Sequence, residues 1–203
     1  MVNPYLPEAD RDRIVDRIGA DPVVVSEAVV SAGDGPTVEA LVAATDRAPE
    51  EPAEQVPDGA DLYVQFTSGT TGAPKGAVHR HGDLAAHHRA VSRDMLGISA
   101  TAVSLSISTM FFAYGFGNSL VYPLFTGSSA VLRPERPDPG AVAELVDRHR
   151  VTVLHGVPSA YAHLVADTDP AAFATVRVAV SAGENLPPAV AARTPWNGGG
   201  GRS

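Results

Sequence analysis

Between residues 102 and 181, short β-branched runs alternate with stretches of helical length and pattern. Strands are predicted at 102–107, 129–132, 151–154 and 176–181, and helices at 139–149 and 158–166, the latter with Pro158 in its first turn. No other feature constrains the fold as strongly. Strands separated by helices of this length pair in parallel and are covered on both faces, so an α/β fold is predicted: a parallel sheet with flanking helices. Ligands of such sheets collect beyond the carboxyl ends of the strands. Two small-residue stretches sit at such ends, at 67–76 and at 181–187.

The first is Thr67-Ser68-Gly69-Thr70-Thr71-Gly72-Ala73-Pro74-Lys75-Gly76, directly after the apolar run Leu62-Tyr63-Val64-Gln65-Phe66. Strand, then hydroxyl- and glycine-rich loop, then lysine suits a phosphate. Glycines let the backbone turn with φ > 0 and bring N–H groups close to an anion. The hydroxyls add short donors, and an ammonium adds a compact charge. Lys75 is the only lysine of the chain, and every other Lys or Arg is arginine. A surface turn with an incidental lysine is the plain alternative. A Walker A loop is a poor fit: Pro74 precedes Lys75 and Gly76 follows it, leaving no hydroxyl placed for magnesium.

The second stretch, Ser181-Ala182-Gly183-Glu184-Asn185-Leu186-Pro187, reads as a strand ending in a glycine turn before a helix. Between the two lies Met110-Phe111-Phe112-Ala113-Tyr114-Gly115-Phe116-Gly117-Asn118-Ser119-Leu120. Its aromatics suit either the start of a core helix or the apolar wall of a pocket in which glycines leave room for a flat ligand, and both can hold together. Upstream, a helix is predicted over 8–19, with Ile14, Val15 and Ile18 forming its stripe and Gly19 its stop. Strand-type runs follow at 23–25 and 28–30, then a helix capped by Thr37 and a proline-rich acidic connector over 47–60. Residues 77–79 are predicted as a short extended segment. A helix over 82–96 is predicted to place Leu84, His88, Val91 and Met95 on one face. His79, His81, His87 and His88 are close in sequence, but adjacent helical histidines diverge and no cysteine or well-spaced carboxylate joins them, so no metal site is expected.

Composition excludes several function classes. The net charge is −8, from 15 basic and 23 acidic residues, and no basic patch points to nucleic acid. The absence of cysteine rules out disulfides and thiolate metal sites and fits a cytoplasmic protein. No apolar stretch approaches the ~18 residues of a membrane span, and the start of the chain lacks a basic-then-apolar signal.

The stretch 67–76 resembles the phosphate-binding signature of the adenylate-forming superfamily: acyl-CoA synthetases, luciferases and peptide-synthetase adenylation domains. The run Phe111-Phe112-Ala113-Tyr114-Gly115-Phe116-Gly117-Asn118-Ser119, with Tyr122-Pro123-Leu124 and Arg133-Pro134-Glu135-Arg136-Pro137, looks most like benzoate-CoA ligases and related aryl-CoA ligases. The resemblance implies an ATP-dependent ligase that converts a carboxylic acid to an acyl-adenylate and then to a CoA thioester, with ATP, Mg²⁺ and CoA as co-substrates. It implies that Thr67, Ser68, Gly69, Thr70, Thr71, Gly72 and Lys75 hold ATP phosphates. Phe112, Tyr114 and Gly115 would line the acid pocket. Ser181, Ala182, Gly183 and Glu184 would lie beside the adenine and the acid.

The likeness covers 1–193, the middle of a family member, and is expected to be a partial AMP-binding domain. The Gly/Arg-rich residues 194–203 are expected to be disordered or out of frame. The family's Tyr-Gly-Ser/Thr-Thr-Glu and Thr-Gly-Asp segments, which serve magnesium and ribose, are not found, nor is the C-terminal lysine of adenylation. No catalytic residue and no metal ligand is therefore assigned, and a fragment inactive on its own is expected. A non-catalytic nucleotide-binding or interaction module, or a domain completed by a second chain, are the alternatives.

Overall fold

In a computed structural model the described residues are 2–3, 5–19, 37–45, 52–67, 75–133 and 137–194. The strands predicted at 23–25 and 28–30, the loop residues 68–74 and the tail from 195 lie outside them. The described residues fall into two compact units: one from Met1–Pro57 and Val64–Val78, the other from Asp58–Tyr63 and His79–Ser203.

In the first unit, helix α1 (Glu8–Ile18) ends where predicted, with Gly19 in the left-handed conformation at φ 60°. Ile14 is its buried residue. Helix α2 (Val38–Thr45) follows Thr37, whose Oγ1 accepts the Ala40 N–H at 3.0 Å. The ends of strands β1 (Asp61–Thr67) and β2 (Lys75–Arg80) nearest the 68–74 loop belong here; the two strands are hydrogen-bonded neighbours. The extended segment expected over 77–79 thus begins at Lys75.

The second unit carries the parallel sheet, in the order β4 (Ser129–Val131), β3 (Val103–Ser106), β5 (Val153–Gly156), β6 (Val178–Ser181). Every neighbouring pair is parallel, as the β/α alternation predicts. Helix α6 (Pro139–His149) crosses from β4 to β5, and α7 (Pro158–Asp167) with a 3₁₀ turn (Pro170–Phe173) crosses to β6. Asp138 caps α6 by accepting the Ala141 N–H at 2.8 Å.

Strand β5 is buried throughout, and its side chains alternate between two cores. Leu154 joins Leu105, Val142, Val146, Tyr161, Leu164 and Phe173. Val153 joins Ile98, Ala102, Val121 and Tyr122. The expected strand at 151–154 is shifted: Val151 is fully buried in the first core but precedes the strand, so its apolar character reflects packing rather than pairing.

The expected helix over 82–96 is α3 (His81–His87) running into a π-helix (His88–Met95). The expected apolar face is corrected there. Wider π-helical turns rotate the later residues, so Ser92 is buried and Met95 is 66% exposed. The aromatic segment is also helical: α4 (Ala113–Phe116), a π-helix (Gly117–Val121) and α5 (Tyr122–Thr126). Among the described residues no helix is long and apolar enough to cross a membrane.

His155 is fully buried on β5, and neither ring nitrogen has a hydrogen-bond partner. Burial lowers its pKa to about 4. The folded chain therefore keeps His155 neutral where the unfolded chain protonates it, near the ordinary value of about 6.5. Stability is predicted to fall as pH drops through that window, by about 3 kcal/mol in total from this group. Urea midpoints measured at pH 7 and pH 4.5 check this, and His155→Phe should flatten the difference.

Candidate functional site

The 67–76 stretch is bracketed by strands. Thr67 closes β1, and Lys75 opens β2 with an exposed side chain. Ser68, Gly69, Thr70, Thr71 and Gly72 lie outside the described residues. Gly76, expected as a loop glycine, is in β2. A Cβ there would meet Val64 Cγ1 at 2.9 Å and Phe66 Cε1 at 3.4 Å. Glycine at this position serves close packing between the strands rather than a turn.

The aromatic segment is positioned by one close contact and one hydrogen bond. A Cβ on Gly115 would sit 2.1 Å from the Thr109 carbonyl oxygen and 2.6 Å from that of Ser108. Only glycine lets this turn of α4 seat against that backbone. Tyr114 Oη then donates to the Val180 carbonyl at 2.9 Å. Burial raises the Tyr114 pKa far above its usual value, so the phenol stays a neutral donor. Phe112, just before α4, is 56% exposed and packs on Phe111 at 4.5 Å between ring centroids.

Strand β6 ends at Ser181. Ala182 N–H donates to the Gly156 carbonyl at 3.3 Å, and Gly183 has φ 93°. Gly183 and Glu184 are exposed, whereas Ser181 Oγ is buried without a partner. The structure thus brings two of the sequence-derived groups together, because Val180, which accepts from Tyr114, immediately precedes Ser181.

Three buried polar groups beside Tyr114 were given no role of their own in the sequence reading. His155 faces Tyr114 edge-on at 6.1 Å and Tyr122 at 6.3 Å. Asn118 is buried with Nδ2 unpartnered. Tyr122 Oη lies 3.4 Å from His87 Nε2, and burial pushes the Tyr122 pKa up to about 12. One signal was readable: a histidine directly after the run 151–154. The neighbouring histidines have separate engagements. His79 Nδ1 is 3.8 Å from Asp83, and His88 pairs with Ser92 Oγ at 2.7 Å. Among the described residues no group of His, Cys, Asp or Glu could hold a metal ion.

At the carboxyl ends of β3 and β4 a small cleft of about 60 Å³ is lined by Ser106, Ser108, Thr109, Ser119 and Arg133, among others. It has room for a few waters and is too small for an aryl ring. Gly115→Ala is predicted to destabilise the fold by about 3 kcal/mol, since the added methyl meets backbone that cannot rotate away. Tyr114→Phe should cost about 1 kcal/mol, the worth of one hydrogen bond. Denaturant melts of both variants check the ranking.

A family model described as AMP-binding enzyme matches residues 2–196. The chain is 36% identical to a benzoate–CoA ligase of Thauera aromatica over 211 aligned residues, covering 95% of this chain and 40% of that protein. A 4-hydroxybenzoate–CoA/benzoate–CoA ligase of Rhodopseudomonas palustris is 34% identical, with 90% and 36% covered. Among solved structures, a benzoate CoA ligase from Burkholderia xenovorans superposes with a TM-score of 0.83 at 30% identity, over 95% of this chain and 42% of that one. The chain thus spans about two fifths of the length of these relatives.

Proposed function

The chain belongs to the AMP-binding enzyme family, and from that premise we propose that it is part of an ATP-dependent aryl-CoA ligase acting on a benzoate-like acid. In the proposed reaction an acid oxygen attacks the α-phosphorus of ATP and pyrophosphate leaves. The thiol of CoA then attacks the acyl carbon and AMP leaves. ATP and CoA as co-substrates suit the cytoplasm.

The observation that carries this reading is the Tyr114–Val180 hydrogen bond. It joins the aromatic segment, proposed wall of the acid pocket, to the strand whose end is Ser181-Ala182-Gly183-Glu184. Acid and nucleotide must lie side by side for attack on the α-phosphorus, and a shared rigid support favours that geometry. In this reading Phe112 and Tyr114 offer the aryl ring apolar surface, and Gly115 sets α4 where they can reach it. Thr67, Ser68, Gly69, Thr70, Thr71, Gly72 and Lys75 hold the phosphates, and Ser181, Ala182, Gly183 and Glu184 flank the adenine and the acid. No metal ligand is assigned in this chain. Magnesium, when bound with ATP, would supply charge neutralisation at the phosphates.

We further propose that the 203-residue chain binds without turning over, because its single lysine is committed to the phosphates. A binding module without catalysis would share the first property, so binding and turnover are measured separately. In calorimetry ATP is expected to bind saturably, and Lys75→Ala to weaken binding about tenfold, the worth of one charge-assisted contact. ATP–pyrophosphate exchange with benzoate is expected at background. Exchange abolished by Lys75→Ala would overturn the inactivity, and no ATP binding at all would overturn the phosphate role.

A further inference from the structure

The cleft at the carboxyl ends of β3 and β4 takes no part in the function proposed above, and the sheet topology accounts for it. The two strands are adjacent and parallel, with Leu105 opposite Val131. The chain leaving β3 runs to one face of the sheet, where Val121 and Tyr122 pack with Val153. The chain leaving β4 runs to the other face, where Val142 and Val146 of α6 pack with Leu154. Neighbouring strand ends whose connections part to opposite faces leave a crevice between them, and open parallel sheets take their ligands in such crevices. Every residue involved belongs to the second unit.

The wall that follows β3 is fixed by its own hydrogen bonds. Ser106 Oγ donates to the Ser108 carbonyl at 3.1 Å, the Ile107 N–H to the His155 carbonyl at 2.9 Å, and the Phe112 N–H to the Thr109 carbonyl at 3.2 Å. The cleft of about 60 Å³ has room for roughly four or five non-hydrogen atoms, the size of a tetrahedral oxyanion. Its polar lining suits negative charge. Ser119, only 8% exposed, is on one side, and the exposed Arg133 brings a guanidinium that stays protonated. Thr109 Oγ1, in the same wall, is buried without a hydrogen-bond partner. No Asp or Glu is among the described residues that line the cleft. A cation would therefore find no carboxylate there, and an apolar group would leave the hydroxyls unpaired.

We propose that the crevice between β3 and β4 is a binding site for a small oxyanion, either free phosphate or the phosphate end of a larger ligand, held by Arg133 and the hydroxyls of Ser119 and Thr109. It shares no residue with the 67–76 stretch, with Phe112, Tyr114 and Gly115, or with 181–184. The inference stands whether or not the ligase reading does.

Calorimetric titration of the 203-residue chain with inorganic phosphate, at constant ionic strength and against a chloride control, tests the site. Saturable binding is expected, and it should persist in Lys75→Ala, which removes the cation of the other candidate phosphate site. In that background Arg133→Gln and Ser119→Ala should each weaken phosphate about tenfold, the worth of one charge-assisted contact. Arg133 is exposed, so Arg133→Gln should leave the urea midpoint in phosphate-free buffer unchanged while abolishing the rise that phosphate gives the unmodified chain. Glycerol 3-phosphate binding as tightly as phosphate assigns the site to the end of a larger ligand, whereas binding of phosphate alone assigns it to the free ion. Phosphate that binds no better than chloride, that is lost in Lys75→Ala, or that is held equally well by Arg133→Gln overturns the proposal.

Discussion

One carbonyl oxygen receives the hydroxyls of two tyrosines, Tyr161 from α7 and Tyr114 from α4. Val180 accepts from Tyr114 and from Tyr161, whose single hydroxyl proton is shared with the Leu154 carbonyl. Tyr161 belongs to the core under α6 and α7, whereas Tyr114 lies beside His155 on the other side of β5. Both phenols are desolvated, which keeps them protonated and therefore donors. Tyr161 bridges β5 and β6, while Tyr114 ties α4 to β6. Removing either hydroxyl leaves the carbonyl partly satisfied by the other, but the sheet then loses its tie to one of its two layers.

The same neighbourhood concentrates polar atoms without partners. Ser104 Oγ, Asn118 Nδ2, both His155 nitrogens and Ser181 Oγ are all buried and unpaired. Each such group costs on the order of 1–3 kcal/mol relative to a satisfied one. They lie on β3, β5, β6 and the π-helix that follows α4, so the cost gathers around the aromatic segment. A core optimised for stability alone would place apolar groups there. The π-helix fits the same pattern, since such turns are poorer in hydrogen-bond geometry and recur at functional sites.

The β/α alternation made the sheet legible from sequence, because strands buried on both faces carry dense β-branched runs. Helix α1 and the cap of α2 were legible for a local reason: Gly19 and Thr37 act on residues only a few positions away. What could not be read depends on contacts distant in sequence. Val151 looks like a strand residue because its burial by Val146 and its neighbours imposes the same character as pairing does. Met95 looked like core because α-helical spacing does not anticipate a π-helix. Gly76 and Gly115 were legible as special but not as what they are. Both are close-approach glycines, and their partners become known only once the backbone is folded. Of the candidate site, the Tyr114 and Ser181 groups proved to be neighbours through Val180, a residue with no motif of its own.

Gly115 shows how tightly geometry and chemistry are joined in this segment. A glycine inside a helix costs about 1 kcal/mol relative to alanine, and a four-residue helix has little propensity to spare. Yet α4 forms, because seating it against the Thr109 carbonyl lets Tyr114 reach Val180 and lets Phe116 pack into the second core. Tertiary contacts therefore hold this turn, and its position is only as fixed as they are. The hydrogen bond to Val180 ties Tyr114 to β6, and Phe116 ties the same turn to the second core. A helical turn built this way trades intrinsic helix stability for sensitivity to its surroundings.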